Sequence, residues 1–221
     1  CSAMSIKYLG EPLDIHVGGA DLLPVHHTNE IAQNEGVYGH KTVNHWMHGE
    51  FLTVDGKKMG KSLGNAYRIS DIEERGFDPL VFRYLTFNTH YRQAMNFTWE
   101  AMEQTKVSYS KLIERVAKEG ASSGKFNAEW NEKFLEAIND DLNMPKAMAV
   151  VWEMLKSDIS SGDKVATIGK FDEVLGLSIL DKAKNMQADS SGGNEMVDRL
   201  VEARNTARTN KDWPASDKLR K

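Results

Sequence analysis

Two groups of residues in the first third of the chain have types and spacings that could do chemistry. His26 and Glu30 stand four apart. At the start of a helix that spacing puts both side chains on one face, with Cβ atoms about 6 Å apart, close enough to share a metal ion. Cys1 lies upstream, and its thiolate would complete a Cys, His and Glu donor set that suits Zn²⁺ better than Mg²⁺ or Ca²⁺. An alternative stays open at this point: the same His and Glu spacing occurs in helices without a metal, and a lone Cys commonly packs as a small hydrophobe. The second group is Lys58-Met59-Gly60-Lys61-Ser62-Leu63-Gly64-Asn65. Here two lysines bracket a flexible, Gly-bearing loop. Such a loop can approach phosphates closely, and its ammonium groups can neutralise charge building on a triphosphate. His27, next to a candidate ligand, points about 100° away around the helix and reads as packing against or supporting that ligand. His45 and Trp46 read as core packing, Asp55-Gly56 as a turn, and His48 has no assigned role.

These groups need elements to hold them. Leu13-Asp14-Ile15-His16-Val17 reads as a short strand ending at Gly18-Gly19, followed by a helix from about His26. Residues 43–54 read as a second extended stretch closed by Asp55-Gly56. Strand, glycine turn, helix and strand make an α/β unit with a mainly parallel sheet. Ser70 offers a cap for a short helix, and Asp78-Pro79 starts another. From about Phe97 the texture is helical. One long helix is capped by Thr98, 120–124 reads as a linker, and further helices are expected over 127–139, 144–158, 163–175 and 194–209 and after Pro214. Leu142, Met148, Ala149, Trp152 and Leu155 suggest an apolar helix face. Residues 181–194 read as a loop. The fold class is therefore α/β followed by all-α.

Composition narrows the class. Apolar residues make up 40% and charged residues 27% of 221, which excludes disordered, collagen-like and low-complexity chains. No run approaches the roughly 18 apolar residues of a membrane span. A net charge of −4 gives no global nucleic-acid signature, so any such contact needs a local patch. A single Cys and no basic-then-apolar leader fit a cytoplasmic protein. The chain opens on Cys1-Ser2-Ala3-Met4 and stops at Lys221 within a charged helical pattern. It therefore reads as an internal piece of a longer protein, truncated at its C-terminus and inactive alone.

The lysine loop resembles the "KMSKS" signature of class I aminoacyl-tRNA synthetases, with Gly60 in place of the first Ser. Cys1-Ser2-Ala3-Met4, Asp14-Ile15-His16-Val17-Gly18-Gly19-Ala20-Asp21, His26-His27-Thr28-Asn29-Glu30-Ile31-Ala32-Gln33 and His90-Tyr91-Arg92 resemble the cysteinyl-tRNA synthetase family. The resemblance implies residues 1–48 as the second half of a Rossmann-like catalytic domain. It implies 49–95 as a connecting region that carries the lysine loop, and 96–221 as a helical anticodon-binding domain. In that family two Cys, a His and a Glu hold one zinc ion that binds the substrate thiolate. Cys1, His26 and Glu30 then match three ligands, the fourth lying outside this sequence. Lys58, Met59, Gly60, Lys61 and Ser62 match the ATP-binding loop, with Lys58 and Lys61 as its catalytic lysines, and ATP is used with Mg²⁺. His16 and Asp21 fall where the amino-acid pocket is lined. Departures are Val17 in place of a glycine, Pro24-Val25 in place of Phe-Pro, and Thr28 in place of Glu.

The implied partners are tRNA(Cys), L-cysteine and ATP, for a monomer with no membrane attachment. From Asn96 onward 19 basic residues face 21 acidic ones. The end of the chain is more basic: Arg204, Arg208 and Lys211 beside Trp213 could hold a phosphate backbone and stack a base. A solvated helix face explains the same residues. Two other readings compete: a cysteine ligase of mycothiol biosynthesis, which needs no anticodon-reading helices, and a non-catalytic zinc- or RNA-binding module. The stretch Ala203-Arg204-Asn205-Thr206-Ala207-Arg208 resembles synthetase C-termini and favours the tRNA ligase.

Overall fold

The computed structural model describes residues 1–120, 123–191, 195–209 and 212–218. The chain forms two compact units, one built from 1–110 and 128–156, the other from 111–127 and 157–221.

The first unit begins with helix α1 (Ser2–Leu9), which the sequence reading did not anticipate. Ser5 Oγ donates to the carbonyls of Cys1 and Ser2, and Ser2 Oγ donates to Gln33 Oε1 at 2.8 Å, tying α1 to α2 (Thr28–Tyr38). Strand β1 (Leu13–Gly19) pairs in parallel with β2 (Val43–Gly49), with His16 opposite Trp46 and Gly18 opposite His48. Between β1 and α2 the chain makes a 3-10 turn (Ala20–Leu22) and a π-helical turn (Leu23–His27). The expected extended stretch over 43–54 is two strands in different sheets. Past Gly49 the backbone changes partners: the Glu50 amide donates to Tyr91 O, and Phe51 O accepts from Met95 N. Strand β3 (Leu52–Val54) thereby joins β5 (Met95–Phe97) in parallel and β4 (Lys57–Lys58) antiparallel.

Asp55 and Gly56 both take positive φ, the conformation a two-residue hairpin demands. Asn96 Oδ1 holds this turn, accepting from Gly56 N at 2.8 Å and Thr53 Oγ1 at 3.0 Å. Behind β3, Phe97 meets Tyr67, Phe82 and Trp99, and the Arg75 guanidinium lies 3.9 Å from the Trp99 ring. Helix α3 (Ile69–Glu74) starts one residue before Ser70, which lies inside it; the Arg68 amide donates to the Asp71 carboxylate at 2.6 Å and makes the cap. Helix α4 (Pro79–Thr86) is capped by Asp78 as read, and Thr98 caps α5 (Trp99–Lys118). Helices α6 (Ala128–Asn139) and α7 (Met144–Lys156) follow. The apolar face of α7 is Ala147, Met148, Val151, Met154 and Leu155. Ala149 is exposed, and Leu142 precedes the helix in a left-handed conformation, so the expected face was rotated.

The second unit holds α8 (Ser161–Leu175), α9 (Ile179–Ser191), α10 (Glu195–Thr209) and α11 (Trp213–Lys218). Of the expected loop over 181–194, residues 181–191 are helical, within α9; 192–194 lie outside the described residues. The Asp172 carboxylate accepts from the amides of Leu177 and Ile179, and Ile179 and Ala183 are buried. That cap and buried stripe turn a polar segment into helix. Among the described residues no helix is long and apolar enough to cross a membrane.

Candidate functional site

Strand alternation puts His16 and Gly18 of β1 on one face, beside Trp46 and His48 of β2. The π-helical turn and the first turn of α2 cover that face with His26, His27 and Glu30. The parallel pairing stacks the His16 ring on Trp46 with centroids 4.4 Å apart. His27 is 2% exposed, and its Nδ1 shares a 2.8 Å hydrogen bond with His48 Nε2. Burial, reinforced by His16 and His48, holds the His27 imidazole below the ordinary histidine value. In their shared hydrogen bond one ring donates and the other accepts. His27 thus packs and supports its neighbours, as its direction around the helix suggested. Trp46, half-buried, lies against three histidines, while His45 is exposed and its ring meets Asp14 O, outside the core.

The side-chain donor atoms of Cys1, His26 and Glu30 lie within 4.8 Å of one another. Glu30 is 3% exposed, and its Oε1 has no hydrogen-bond partner among the described residues although His26 Nε2 is only 3.2 Å away. A buried carboxylate oxygen without a hydrogen bond is costly, and here it converges with a thiol and an imidazole. The donor set therefore fits a divalent metal of borderline softness, Zn²⁺ above others. His16, His27 and Glu30 form a second such group, with His16 Nε2 3.2 Å from Glu30 Oε2. Because His27 Nδ1 is engaged by His48, that trio has one nitrogen fewer to offer. Asp21 is exposed, at the turn after β1, with Oδ1 2.5 Å from where a Cβ on Gly19 would stand.

Gly18 is required by this packing. A Cβ there would stand 2.3 Å from His27 Cε1 and 2.7 Å from its Nε2. Gly18→Ala must displace the ring or the strand, and overpacking of this kind costs about 1–3 kcal/mol. The expected result is that loss in urea unfolding, with disruption of the His27–His48 bond visible in imidazole NMR. An unchanged unfolding midpoint would show that the ring yields freely.

Lys58 ends β4, and Lys61 and Ser62 lie in a 3-10 turn (Lys61–Leu63), with Met59 and Gly60 between. Lys58, Met59, Lys61 and Ser62 are exposed. Among the described residues neither ammonium pairs with a carboxylate, so both remain available to an anion. Sequence reasoning gave no role to Asn65, whose side chain bonds the loop backbone on both sides. It also did not single out Asp141. The Arg92 guanidinium and Tyr91 hydroxyl, donating to the Asp141 carboxylate, hold it at about 2. A cavity of about 430 Å³ lies beside this cluster, lined by Phe51, Phe82, Tyr91, Met95, Leu142 and other mostly apolar groups, and by none of the candidate residues.

In the second unit Arg204 Nε is buried without a hydrogen-bond partner among the described residues, Arg208 is exposed and Trp213 is 56% exposed. Lys211 lies outside the described residues.

Residues 1–107 match the family described as "tRNA synthetases class I (C) catalytic domain", and residues 133–157 match the "DALR domain". The chain is 39% identical over its whole length to "Cysteine--tRNA ligase 1" of Burkholderia lata, covering 46% of that protein. It is 37% identical to "Cysteine--tRNA ligase" of Treponema denticola, again over the whole chain and covering 51% of the relative. The chain thus spans about half the length of the curated relatives it matches. Among solved structures, the LeuRS of Agrobacterium radiobacter K84 in its ternary LeuRS-tRNA-LeuAMS complex aligns over 81% of this chain and 27% of that one, with a TM-score of 0.59 at 12% identity. At that identity the likeness is one of fold.

Proposed function

Because this chain belongs to the cysteinyl-tRNA synthetase family of class I, we propose that the intact enzyme is a cysteine–tRNA ligase. It activates L-cysteine with ATP and Mg²⁺ to cysteinyl-adenylate, then transfers the cysteinyl group to tRNA(Cys). Its fold is a class I catalytic domain joined to a DALR helical domain. We assign 1–48 to the catalytic domain, 49–95 to the connecting region and 96–221 to anticodon binding. Activity belongs to the intact enzyme and not to these 221 residues alone.

The observation that carries this reading is the convergence of Cys1, His26 and Glu30 on one point, with a buried Glu30 oxygen lacking a hydrogen bond among the described residues. These residues would hold Zn²⁺, which when bound supplies a soft acceptor for the substrate sulfur and favours its thiolate form. Selecting sulfur in this way meets a real difficulty, since a pocket of ordinary shape separates isosteres by only about 10²-fold. His16 and Asp21 orient the substrate beside this point. In the first step the cysteine carboxylate attacks the α-phosphorus of ATP in line, and pyrophosphate leaves. Lys58 and Lys61 neutralise charge gathering on the phosphate oxygens, and Met59, Gly60 and Ser62 shape the loop that brings them there. In the second step a terminal ribose hydroxyl of the tRNA attacks the acyl carbon and AMP leaves. Arg204, Arg208, Lys211 and Trp213 contribute to holding the tRNA, and the enzyme acts as a cytoplasmic monomer.

Cysteine-dependent exchange of pyrophosphate into ATP, measured on the intact enzyme, tests the first step. The expected result is exchange with cysteine and none above background with serine. Exchange with another amino acid in preference to cysteine would overturn the assignment. Transfer of the cysteinyl group to an amino sugar, and not to tRNA, would favour the mycothiol-type ligase.

A further inference from the structure

Between β4 and α3 the lysine loop runs without regular structure apart from one 3-10 turn, yet its two ends are joined by a single side chain. Asn65 Oδ1 accepts a hydrogen bond from the Gly60 amide at 2.9 Å, and Asn65 Nδ2 donates to the Lys58 carbonyl at 3.1 Å. The partners fix which way the carboxamide points, because one is a donor only and the other an acceptor only. Gly64, at φ +66 with its amide on Lys61 O, reverses the chain so that Asn65 can face back across the loop. The Leu63 amide closes the same turn onto Gly60 O. At its base the loop continues from the β3–β4 hairpin, where Thr53 and Lys58 are paired and Asn96 secures the turn. The result is a ring from Lys58 to Asn65 in which neither lysine ammonium pairs with a carboxylate among the described residues.

From this geometry we propose that Asn65 is a positioning residue for adenylate formation: it staples the backbone of Lys58 and Gly60 so that Lys58 and Lys61 meet the triphosphate already ordered. The inference rests on the proposed use of the lysine loop in ATP chemistry. A loop that must be ordered during the reaction raises the barrier by the cost of ordering it, whereas a preformed loop leaves the charge–charge interaction fully available in the transition state. The chemistry selects Asn. Aspartate can accept from Gly60 N but cannot donate to Lys58 O, and it sets a carboxylate against that carbonyl. Serine is too short to span both partners, and alanine removes both bonds.

Two measurements on the intact enzyme test the staple. Trypsin cleavage after Lys58 or Lys61, without nucleotide, should accelerate in Asn65→Ala and Asn65→Asp while cleavage elsewhere keeps its rate. Unchanged cleavage at the loop would overturn the staple, and faster cleavage throughout would overturn it in favour of general destabilisation. In pyrophosphate exchange, Asn65→Ala and Asn65→Asp should each lower kcat about 10–100-fold, the scale of a small misplacement of catalytic groups, with KM for cysteine unchanged. The same Asn65→Ala change made in a background lacking both ammoniums (Lys58→Ala with Lys61→Ala) should cost no more than about 3-fold, because residues acting as a unit are not additive. Additive factors, with Lys61→Ala itself strongly impaired, would overturn the role of Asn65 alone. A Lys61→Ala enzyme that exchanges at the normal rate would instead overturn the use of the lysine loop, and the staple's role with it.

Discussion

Lys61→Ala in the intact enzyme is expected to slow cysteinyl-adenylate formation by roughly 10²–10³-fold, the loss typical when one preorganised stabiliser of transition-state charge is removed. The lysine stands on an exposed turn with no carboxylate partner among the described residues, so its charge is not spent within the protein. In-line attack on the α-phosphorus shifts charge toward the departing pyrophosphate, and an ammonium that meets it there acts more strongly on the transition state than on bound ATP. Removing it should therefore lower kcat while leaving cysteine binding intact. Single-turnover formation of adenylate is the measurement. A weaker affinity for cysteine with an unchanged chemical step would show that Lys61 binds substrate and does not serve catalysis.

The second large effect concerns the convergent donors. Glu30→Gln keeps the shape of the side chain but removes its negative charge, and His26→Ala removes a ligand outright. Either change should weaken Zn²⁺ binding by at least about 10²-fold, beyond the 10–100-fold typical of partners that only support a ligand. Competition with a chromophoric chelator reads this directly, without any activity. Discrimination between cysteine and serine should then collapse toward the roughly 10² that shape alone allows. A variant that keeps its zinc, or a chelated enzyme that still rejects serine, would remove the metal from the account of specificity. The His16, His27 and Glu30 group shares Glu30, so Glu30→Gln affects both arrangements. His26→Ala affects only the one containing Cys1, which is why both variants are needed.

What local pattern encodes was legible. Asp78 and Thr98 cap their helices because each places an oxygen over amides two or three residues on, a signal complete within four residues. The Asp55-Gly56 turn follows from its dipeptide. The candidate set was raised from the His26 and Glu30 spacing and from the residue type of Cys1, with a non-metal reading left open, and helix α1, which begins at Ser2 after Cys1, was not foreseen. Illegible features had more than one cause, and only for His48 was it distance in sequence. His48 showed no role until β1–β2 register set it opposite Gly18, the one residue small enough to let His27 reach it. Residues 181–191 look like a polar loop unless Asp172 is known to cap the helix that carries them, at Ile179. Ser70 lost its capping place to Arg68 because the Asp71 carboxylate reaches back to the Arg68 amide.

In these 221 residues taken alone, the two-stranded parallel sheet is expected to assemble late. Its strands are joined by a crossover that brings residues about thirty apart into register, while the α6–α7 pair is closed by a short connection. Contacts between distant residues form late, because the chain entropy of closing the intervening segment is lost before they are gained. Two strands alone are also marginal in water, and in this chain, which spans about half the length of its relatives, Ile15 and Val17 of β1 are 63% and 62% exposed. The histidine face is therefore expected to be among the last parts to order and the first to open, with β1 amides exchanging hydrogen faster than those of α5 or α7. A ligand that bridges Cys1 to His26 and Glu30 joins α1 to the start of α2 across that sheet, and its binding energy goes directly into the least stable region of the fold.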